Sequence, residues 1–456
     1  MILGAGESGA GAAVLAKKEG FDVFVSDMSA IKDKYKQMLD SHGIVWEEGR
    51  HTEEKVLRAD EIIKSPGIPS DAPMVLKAVE RGIHIISEIE FAGRYTRSKM
   101  ICITGSNGKT STKDCIAAVL GEKYRVIKTQ ANFNNEIGLP KTLLTIREDT
   151  EMAVVEMGMR GLGQIRAMKH IAVPDAAVIT NVGDTHLELL GSLENIAKAK
   201  SEILEDFTPQ NHAFLNGDDP RVSVMKTGAT VHTYGIDSDA DVKAVEISAD
   251  GLATRFVYRS RITGNTQEVK LPLLGRHNVM NALAAVAVGE VYGVPDEAIA
   301  RGLENLKMTG MRQEILHFGP VTVINDAYNA SPASMEVALQ TLRDVVKNQG
   351  KGRAVAVLAD MLELGAHSQS GHTQVGEWCG KYGVEELICY GPESRYTAEA
   401  AEKAGVPVHY VENKEAAAPA LANLVRPDDV VLLKGSHGME VFSLIDTVFR
   451  KGAKTC

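Results

Sequence analysis

Short apolar runs alternate with longer amphipathic stretches along this chain. Val23–Val25, Met100–Thr104, Ala153–Glu156, Ala176–Thr180, Val321–Ile324, Ala354–Leu358 and Val430–Leu433 read as strands, and stretches such as Ser111–Leu120 read as helices between them. Strands that are apolar throughout, separated by helices, predict an α/β architecture with mainly parallel sheets, because such strands are covered on both faces. Several runs end abruptly in glycine or a polar residue, where α/β folds place ligand-binding loops. Two breaks interrupt the pattern, a polar stretch at Gly93–Lys99 and a second at Met308–Gly310. They divide the chain into three expected domains, 1–98, 99–310 and 311–456, with no internal repeat or low-complexity segment.

Composition narrows the class. With 456 residues, 44% hydrophobic and 24% charged, the chain is long enough for several packed cores and has an ordinary soluble balance. Its net charge of -10 leaves no basic excess to neutralise nucleic-acid phosphates, so no nucleic-acid partner is expected. The five cysteines, Cys102, Cys115, Cys379, Cys389 and Cys456, are scattered without a CxxC pair. That spacing argues against structural zinc and disulfides and fits a reducing cytoplasm. No apolar run approaches the ~20 residues that cross a bilayer, and the N-terminus has no basic-then-apolar signal, so no membrane insertion is expected. Only Met1-Ile2-Leu3 precede the first glycine turn, which predicts that a leader has been trimmed.

The sharpest candidate chemistry is Thr104-Gly105-Ser106-Asn107-Gly108-Lys109-Thr110, placed between a strand and a helix. Glycines let backbone N–H groups face phosphate oxygens, the helix N-terminus adds a favourable dipole, and Lys109 supplies a point charge. The Thr110 hydroxyl suits a phosphate-bound magnesium. The loop has two residues between Gly105 and Gly108 where the usual phosphate loop has four. A chance strand–glycine–helix junction is the bland alternative, and Gly-Lys-Thr in this context outweighs it.

Other features are weaker alone. Glu156 ends its strand where a second carboxylate reaches the metal of phosphoryl-transfer sites, or is a solvated strand end. His186, in Asn181–Glu188, is by itself a loop histidine, and Lys200 by itself a surface lysine, although a desolvated amine can take up CO2 as a carbamate. The amide-rich run Asn132–Gly138 suits hydroxyls or phosphate, or is a hydrogen-bonded turn. In Gly275–Asn281, Asn278 can cap a helix and Asn281 can pair with adenine. Gly4-Ala-Gly6-Glu7-Ser8-Gly9 fits GxGxxG with Asp27 following at the end of the next strand, a weak signal for NAD or any diphosphate.

Taken in order, these motifs resemble those of the Mur ligases. Thr104–Thr110, Asn132–Gly138, Glu156, His186, Lys200, Gly275–Asn281, Arg312 in Gly310-Met-Arg-Gln-Glu, and Asp326 in Asn325-Asp-Ala-Tyr-Asn-Ala-Ser-Pro332 match in order and spacing over essentially the whole chain. From about residue 100 the chain resembles the D-alanyl-D-alanine-adding branch. The residues that carry this are Asn132-Phe-Asn-Asn, Glu156-Met-Gly-Met, Asp360-Met-Leu-Glu-Leu-Gly365 with His372, and Lys434-Gly-Ser436. Residues 1–98 instead resemble the uridine-binding domain of the D-glutamate-adding branch, through Ile2–Gly9, Lys64-Ser-Pro-Gly-Ile68 and Ile86-Ser-Glu-Ile-Glu90. The chain therefore reads as a hybrid. Ala359 and His437 stand where the family commonly has glycine and arginine.

The resemblance implies a Rossmann-like N-terminal domain, a central phosphate-loop ATPase and a Rossmann-like C-terminal domain. It implies an ATP-dependent amide ligase of peptidoglycan precursor synthesis that activates a carboxylate as an acyl phosphate. Gly105, Asn107, Gly108, Lys109, Thr110, Ser111, Asn281, Arg312 and Asp326 would bind ATP. Thr110, Glu156, His186 and carbamylated Lys200 would serve two Mg2+ sites. Lys109, Lys200, His186 and Arg312 would be catalytic. Gly6, Glu7, Ser8, Asp27, Ser65 and Gly67 would bind the UDP of a UDP-N-acetylmuramoyl-peptide. Asn134, Asn135, Asn329, Ser331, Lys434 and Ser436 would receive the D-amino-acid or dipeptide acceptor. A cytoplasmic monomer is implied. Alternatives are a D-glutamate-adding ligase, a nucleotide-binding hybrid with little or no ligase activity, and an oxidoreductase resting on Gly4–Gly9 and Asp27 alone.

Overall fold

The computed structural model describes residues 1–183 and 185–450, so Cys456 lies outside the described residues. Three sheets carry the chain. The first is wholly parallel, with strands β1 (Ile2–Leu3), β2 (Phe24–Asp27), β3 (Val45–Glu48), β4 (Glu61–Lys64) and β5 (His84–Ser87) in the order β3-β2-β1-β4-β5. Short as it is, β1 sits at the centre, with Ile2 and Leu3 fully buried between β2 and β4. The glycine turn after it needs its glycines: Gly4 has φ +98°, and a Cβ on Gly9 would overlap the Gly4 carbonyl.

The second sheet has nine strands: β6 (Lys99–Thr104), β7 (Val126–Lys128), β8 (Met152–Glu156), β9 (Ala176–Ile179), β10 (His212–Asn216), β11 (Thr230–Gly235), β12 (Val242–Asp250), β13 (Ala253–Ser260) and β14 (Thr266–Leu271). The order is β14-β13-β12-β11-β10-β9-β6-β8-β7, parallel from β7 as far as β12, and antiparallel between β12, β13 and β14. The helix Arg276–Val291 is buried continuously from Ala282 to Glu290, inside a core that includes Ile116, Phe214, Phe256 and Tyr258. A helix apolar on all sides must be covered on all sides.

The third sheet comprises β15 (Glu314–Phe318), β16 (Val321–Asn325), β17 (Ala354–Ala359), β18 (Glu386–Tyr390), β19 (Val408–Val411) and β20 (Val430–Lys434), ordered β15-β16-β20-β17-β18-β19. Only the edge strand β15 runs antiparallel to its neighbour. The α/β class with mainly parallel sheets is thus the observed one, each sheet continuing the strands read from the apolar runs. By packing, the chain forms two compact units. One comprises 1–98 with 136–146 and 167–173; the other comprises 99–135, 147–166 and 174–456, and so contains both larger sheets. Among the described residues no helix is long and apolar enough to cross a membrane. Cys102, Cys115, Cys379 and Cys389 are free and buried.

Candidate active site

The loop after β6 is shaped by its neighbours as much as by its own glycines. Gly108 has φ +77°, and a Cβ there would lie 2.6 Å from Asn281 Oδ1. Asn281 accepts from Thr112 Oγ1 (3.1 Å), so it braces the loop from the side. The 180–183 segment braces the other side: Asn107 N donates to Asn181 Oδ1 (2.8 Å), Thr180 Oγ1 donates to Asn107 O (2.7 Å), and Gly183 N donates to Ser106 Oγ (2.8 Å). The helix Lys109–Gly121 starts directly at the loop, with Ser111 half-exposed on its first turn. Lys109 Nζ donates to Gly105 O (2.7 Å) and Ser106 O (3.3 Å), which holds the ammonium over the loop.

Thr110 and Glu156 meet beneath that ammonium. Thr110 Oγ1 donates to Glu156 Oε2 (2.7 Å), and Asn134 Nδ2 donates to Glu156 Oε1 (2.9 Å). Glu156 is only 2% exposed, so this carboxylate at the end of β8 is not a solvated strand end. Asn135 is exposed beside Asn134. Burial lowers the pKa of Lys109; Glu156 opposes the shift and Arg312 adds to it, which brings charges from two domains into one site.

Lys200 closes the helix Leu193–Ser201 and is 3% exposed. Burial holds its amine well below the usual lysine range, and Lys109 pushes the same way. It is a desolvated amine and not a surface lysine. His186 adopts a left-handed φ of +66°. Its Nδ1 is buried and makes no hydrogen bond among the described residues, although Glu363 Oε2 lies 3.3 Å away. Burial lowers its pKa, Glu363 opposes, and Lys109, Lys200 and Arg160 add to the lowering.

The C-terminal domain brings Arg312 into the same region. Its Cζ lies 3.6 Å from the centroid of the Tyr328 ring, and Nη1 is buried without a hydrogen-bond partner among the described residues. Asp326, at the end of β16, accepts from Gln313 N (3.2 Å) and from Lys434 Nζ (2.6 Å). Lys434 also donates to Asn329 O (3.0 Å) and Asp326 O (3.3 Å), so its ammonium ties the ends of β16 and β20 together. Ser331 caps the helix Pro332–Gln349 in a capping box with Ser334, and Asn329 is exposed just before it. Ser436 is buried and accepts from Leu362 N (2.9 Å). His437 stacks on Phe442, with ring centroids 5.5 Å apart. His372 Nε2 accepts from Met361 N (3.0 Å) and Nδ1 faces Ser368 O (2.8 Å), which ties the ring to the 360–365 loop.

In the N-terminal domain, Asp27 accepts from Ala5 N (2.7 Å) and Ser29 N (2.8 Å), closing the glycine turn. Gly6 and Glu7 begin the helix beyond that turn, and Gly67 is exposed. Ser8 and Ser65 both hydrogen-bond Glu88, a 4% exposed carboxylate whose pKa is raised by burial.

Sequence reasoning missed Glu363, Tyr328 and Glu88 as partners, although all three lie inside the quoted motifs. It also missed the Lys113–Asp114 pair on the phosphate helix. The available signal was charge on an otherwise apolar helix. Among the described residues no three His, Cys, Asp or Glu side chains gather into a metal cluster. Thr110 and Glu156, which are hydrogen-bonded to each other, are hard oxygen donors that suit Mg2+ when phosphate supplies further oxygens.

A phosphate loop, a buried carboxylate and an arginine delivered from a second domain define an enzyme that uses a nucleoside triphosphate. The Mur ligase middle domain matches residues 103–289, the Mur ligase glutamate ligase domain matches 311–437, and the MurD N-terminal domain matches 1–74. The UDP-N-acetylmuramoyl-tripeptide–D-alanyl-D-alanine ligase of Bacillus subtilis is 41% identical over 353 residues, covering 76% of this chain and 75% of that protein. The UDP-N-acetylmuramoylalanine–D-glutamate ligase of Bacteroides fragilis is 37% identical over 391 residues, covering 82% and 85%. Among solved structures, MurF from Acinetobacter baumannii matches with a TM-score of 0.73 at 25% identity, covering 98% of this chain and 93% of that one. The chain belongs to the Mur ligase family, the ATP-dependent ligases of peptidoglycan synthesis. The mixture read from its motifs stands, since its N-terminal segment matches one branch and relatives of both branches align with it.

Proposed function

We propose that this chain joins D-alanyl-D-alanine to the peptide of a UDP-N-acetylmuramoyl-peptide. The peptide carboxylate attacks the γ-phosphorus of ATP and ADP leaves; the acceptor amine then attacks the acyl phosphate, and inorganic phosphate and a proton depart as the amide forms. The observation that carries the phosphoryl step is the Arg312 guanidinium, stacked on Tyr328, with a buried Nη1 that has no hydrogen-bond partner among the described residues and a charge that acts on Lys109. Buried donors without partners suit a charge that develops in the transition state.

In this reading Lys109 and the loop N–H groups hold the β- and γ-phosphates, Arg312 meets the transferring group, and Asp326 and Asn281 set the nucleotide. Thr110, Glu156, His186 and Lys200 would hold Mg2+ at two sites, and the metal would offset phosphate charge. Lys200 fits as a carbamate: burial favours the uncharged amine, which would attack CO2 and release a proton, giving an anionic carboxylate at that position. Asn134, Asn135, Asn329, Ser331, Lys434 and Ser436 form the acceptor side. In the N-terminal domain Gly6, Glu7, Ser8, Asp27, Ser65 and Gly67 hold the uridine diphosphate. The domains are 1–98, 99–310 and 311–456, and the free, buried cysteines fit a cytoplasmic monomer.

A D-glutamate-adding activity is the second reading, favoured by the N-terminal match and the Bacteroides relative. The two substrates differ in reach, because two further residues in extended conformation add up to ~7 Å. ADP release measured with each UDP-muropeptide crossed with D-glutamate and D-alanyl-D-alanine decides between them. Release that needs the tripeptide and the dipeptide together supports the first reading, and release that needs D-glutamate replaces it. No release with any pair refutes both in favour of a non-catalytic nucleotide-binding chain.

A further inference from the structure

Arg312 lies near the end of a nine-residue connection that no helix or strand spans, between the helix Asp296–Glu304 and β15. Something other than regular structure must therefore fix where its side chain arrives. On the far side, Met311 O accepts from Tyr328 N (3.2 Å), and Gln313 N donates to Asp326 Oδ1 (3.2 Å), so this end is fastened to the C-terminal domain. Met311 and Gln313, flanking Arg312, both adopt left-handed φ, +62° and +50°. Two such non-glycine residues persist only where surrounding bonds over-determine them.

On the near side Thr309 is fastened to the phosphate helix, chiefly by Asp114, with Lys113 Nζ also donating to Thr309 Oγ1 (3.4 Å). Thr309 N donates to Asp114 Oδ2 (2.7 Å) and Thr309 Oγ1 donates to Asp114 Oδ1 (3.2 Å). Asp114 is 1% exposed and also meets Lys128 Nζ (2.7 Å) and Lys113 Nζ (3.4 Å), with Lys113 itself fully buried. A carboxylate can take this many donors because its two oxygens offer about four lone-pair sites. Asp114 lies five positions after Lys109 on the same helix. The helix that presents the phosphate lysine thus also grips the connection three residues before the arginine. Gly310 is the single residue between the two fastenings, and a Cβ there would find only Glu314 Oε2, at 3.8 Å.

We propose that Asp114 is a positioning residue for Arg312: it clamps the interdomain connection at Thr309, so that the C-terminal domain pivots at Gly310 and carries the guanidinium onto the γ-phosphate held by Lys109. This rests on the reading of Arg312 as a γ-phosphate ligand. Asp114 touches no substrate itself, and its effect passes through Thr309.

The test compares two nucleotides on the full chain, the non-hydrolysable triphosphate AMP-PNP and ADP, each with Mg2+, by calorimetry. Asp114→Asn should weaken AMP-PNP about tenfold while ADP changes less than about twofold, since ADP has no γ-phosphate for Arg312 to meet. Thr309→Val, which keeps the lysine pairs of Asp114 and so spares the fold, should weaken AMP-PNP about threefold with the same selectivity. In an Arg312→Ala background neither substitution should add more than about twofold, because interacting residues are not additive. Equal weakening of both nucleotides, or a full additional loss in the Arg312→Ala background, overturns the proposal. If Arg312→Ala leaves AMP-PNP affinity unchanged, the γ-phosphate reading of Arg312 fails. The clamp is then judged by amide hydrogen exchange: faster exchange over 309–313 in Asp114→Asn upholds it and unchanged exchange overturns it.

Discussion

The Arg312 guanidinium carbon lies 3.6 Å from the centroid of the Tyr328 ring. Stacking of this kind holds the planar group by its face and leaves its N–H edge available, which a salt bridge would not. Replacing Tyr328 with alanine should therefore lower the rate of ADP formation by about tenfold with little change in ADP affinity. Replacing Arg312 with alanine should cost about a thousandfold or more, the scale of an arginine that meets a transferring phosphoryl group. Arg312→Lys should recover only a small part, because an ammonium neither stacks nor forks. Steady-state kinetics check all three, and full activity in Arg312→Lys would exclude the stacked geometry as the working one.

Among the described residues Lys109 bonds only carbonyls of its own loop. Lys109→Ala should abolish measurable ADP production while the thermal midpoint shifts by no more than a few degrees, since a loop ammonium supports no core. Unchanged turnover in this variant would remove the loop from the triphosphate site.

Lys200 is a buried amine whose pKa is lowered by burial and by Lys109. Lys200→Ala should lose activity, and added formate or acetate should restore part of it by occupying the place of the carbamate. Lys200→Arg, which cannot form a carbamate, should not respond to bicarbonate. Activity of the purified chain should fall when CO2 is stripped and return when bicarbonate is supplied. Insensitivity to all three treatments would show an ordinary lysine.

Glu290, 6% exposed at the end of the helix Arg276–Val291, accepts from Ser260 Oγ (2.5 Å) and Thr263 Oγ1 (3.2 Å). Burial pushes its pKa from 4.5 up to about 7. A carboxyl whose folded pKa is raised binds its proton more tightly when folded. Its contribution is therefore full below about pH 4.5 and is lost as pH rises through about 7. The loss is on the order of 3 kcal/mol for a shift of this size. Glu290→Gln should flatten the decline, leaving the variant more stable than the parent at pH 8 and no more stable at pH 4.5. Denaturation midpoints at several pH values check this, and parallel profiles for parent and variant would contradict it.

The parallel strands, the phosphate loop and the family were legible from the sequence because each is a local matter. A strand buried on both faces must be apolar along its length, and a backbone that cradles phosphate needs glycine at Gly105 and Gly108 with Lys109 and Thr110 directly after. The antiparallel extension β12–β14 was not legible, since its half-exposed strands mix polar and apolar residues without a clean period. Nor were the contacts that complete the site. Asp114 and Thr309 stand 195 positions apart, Lys434 and Asp326 stand 108 apart, and Glu363 reaches His186 from a different domain. Read alone, Glu156 passes for a solvated strand end and Lys200 for a surface lysine. Packing made the first a buried, paired carboxylate and the second a desolvated amine, and burial is a property of the packed chain. Residue types, order and spacing thus named the chemistry. Which side chains meet, which are stripped of water, and which donors remain without partners were decided only when the helices and sheets closed on one another.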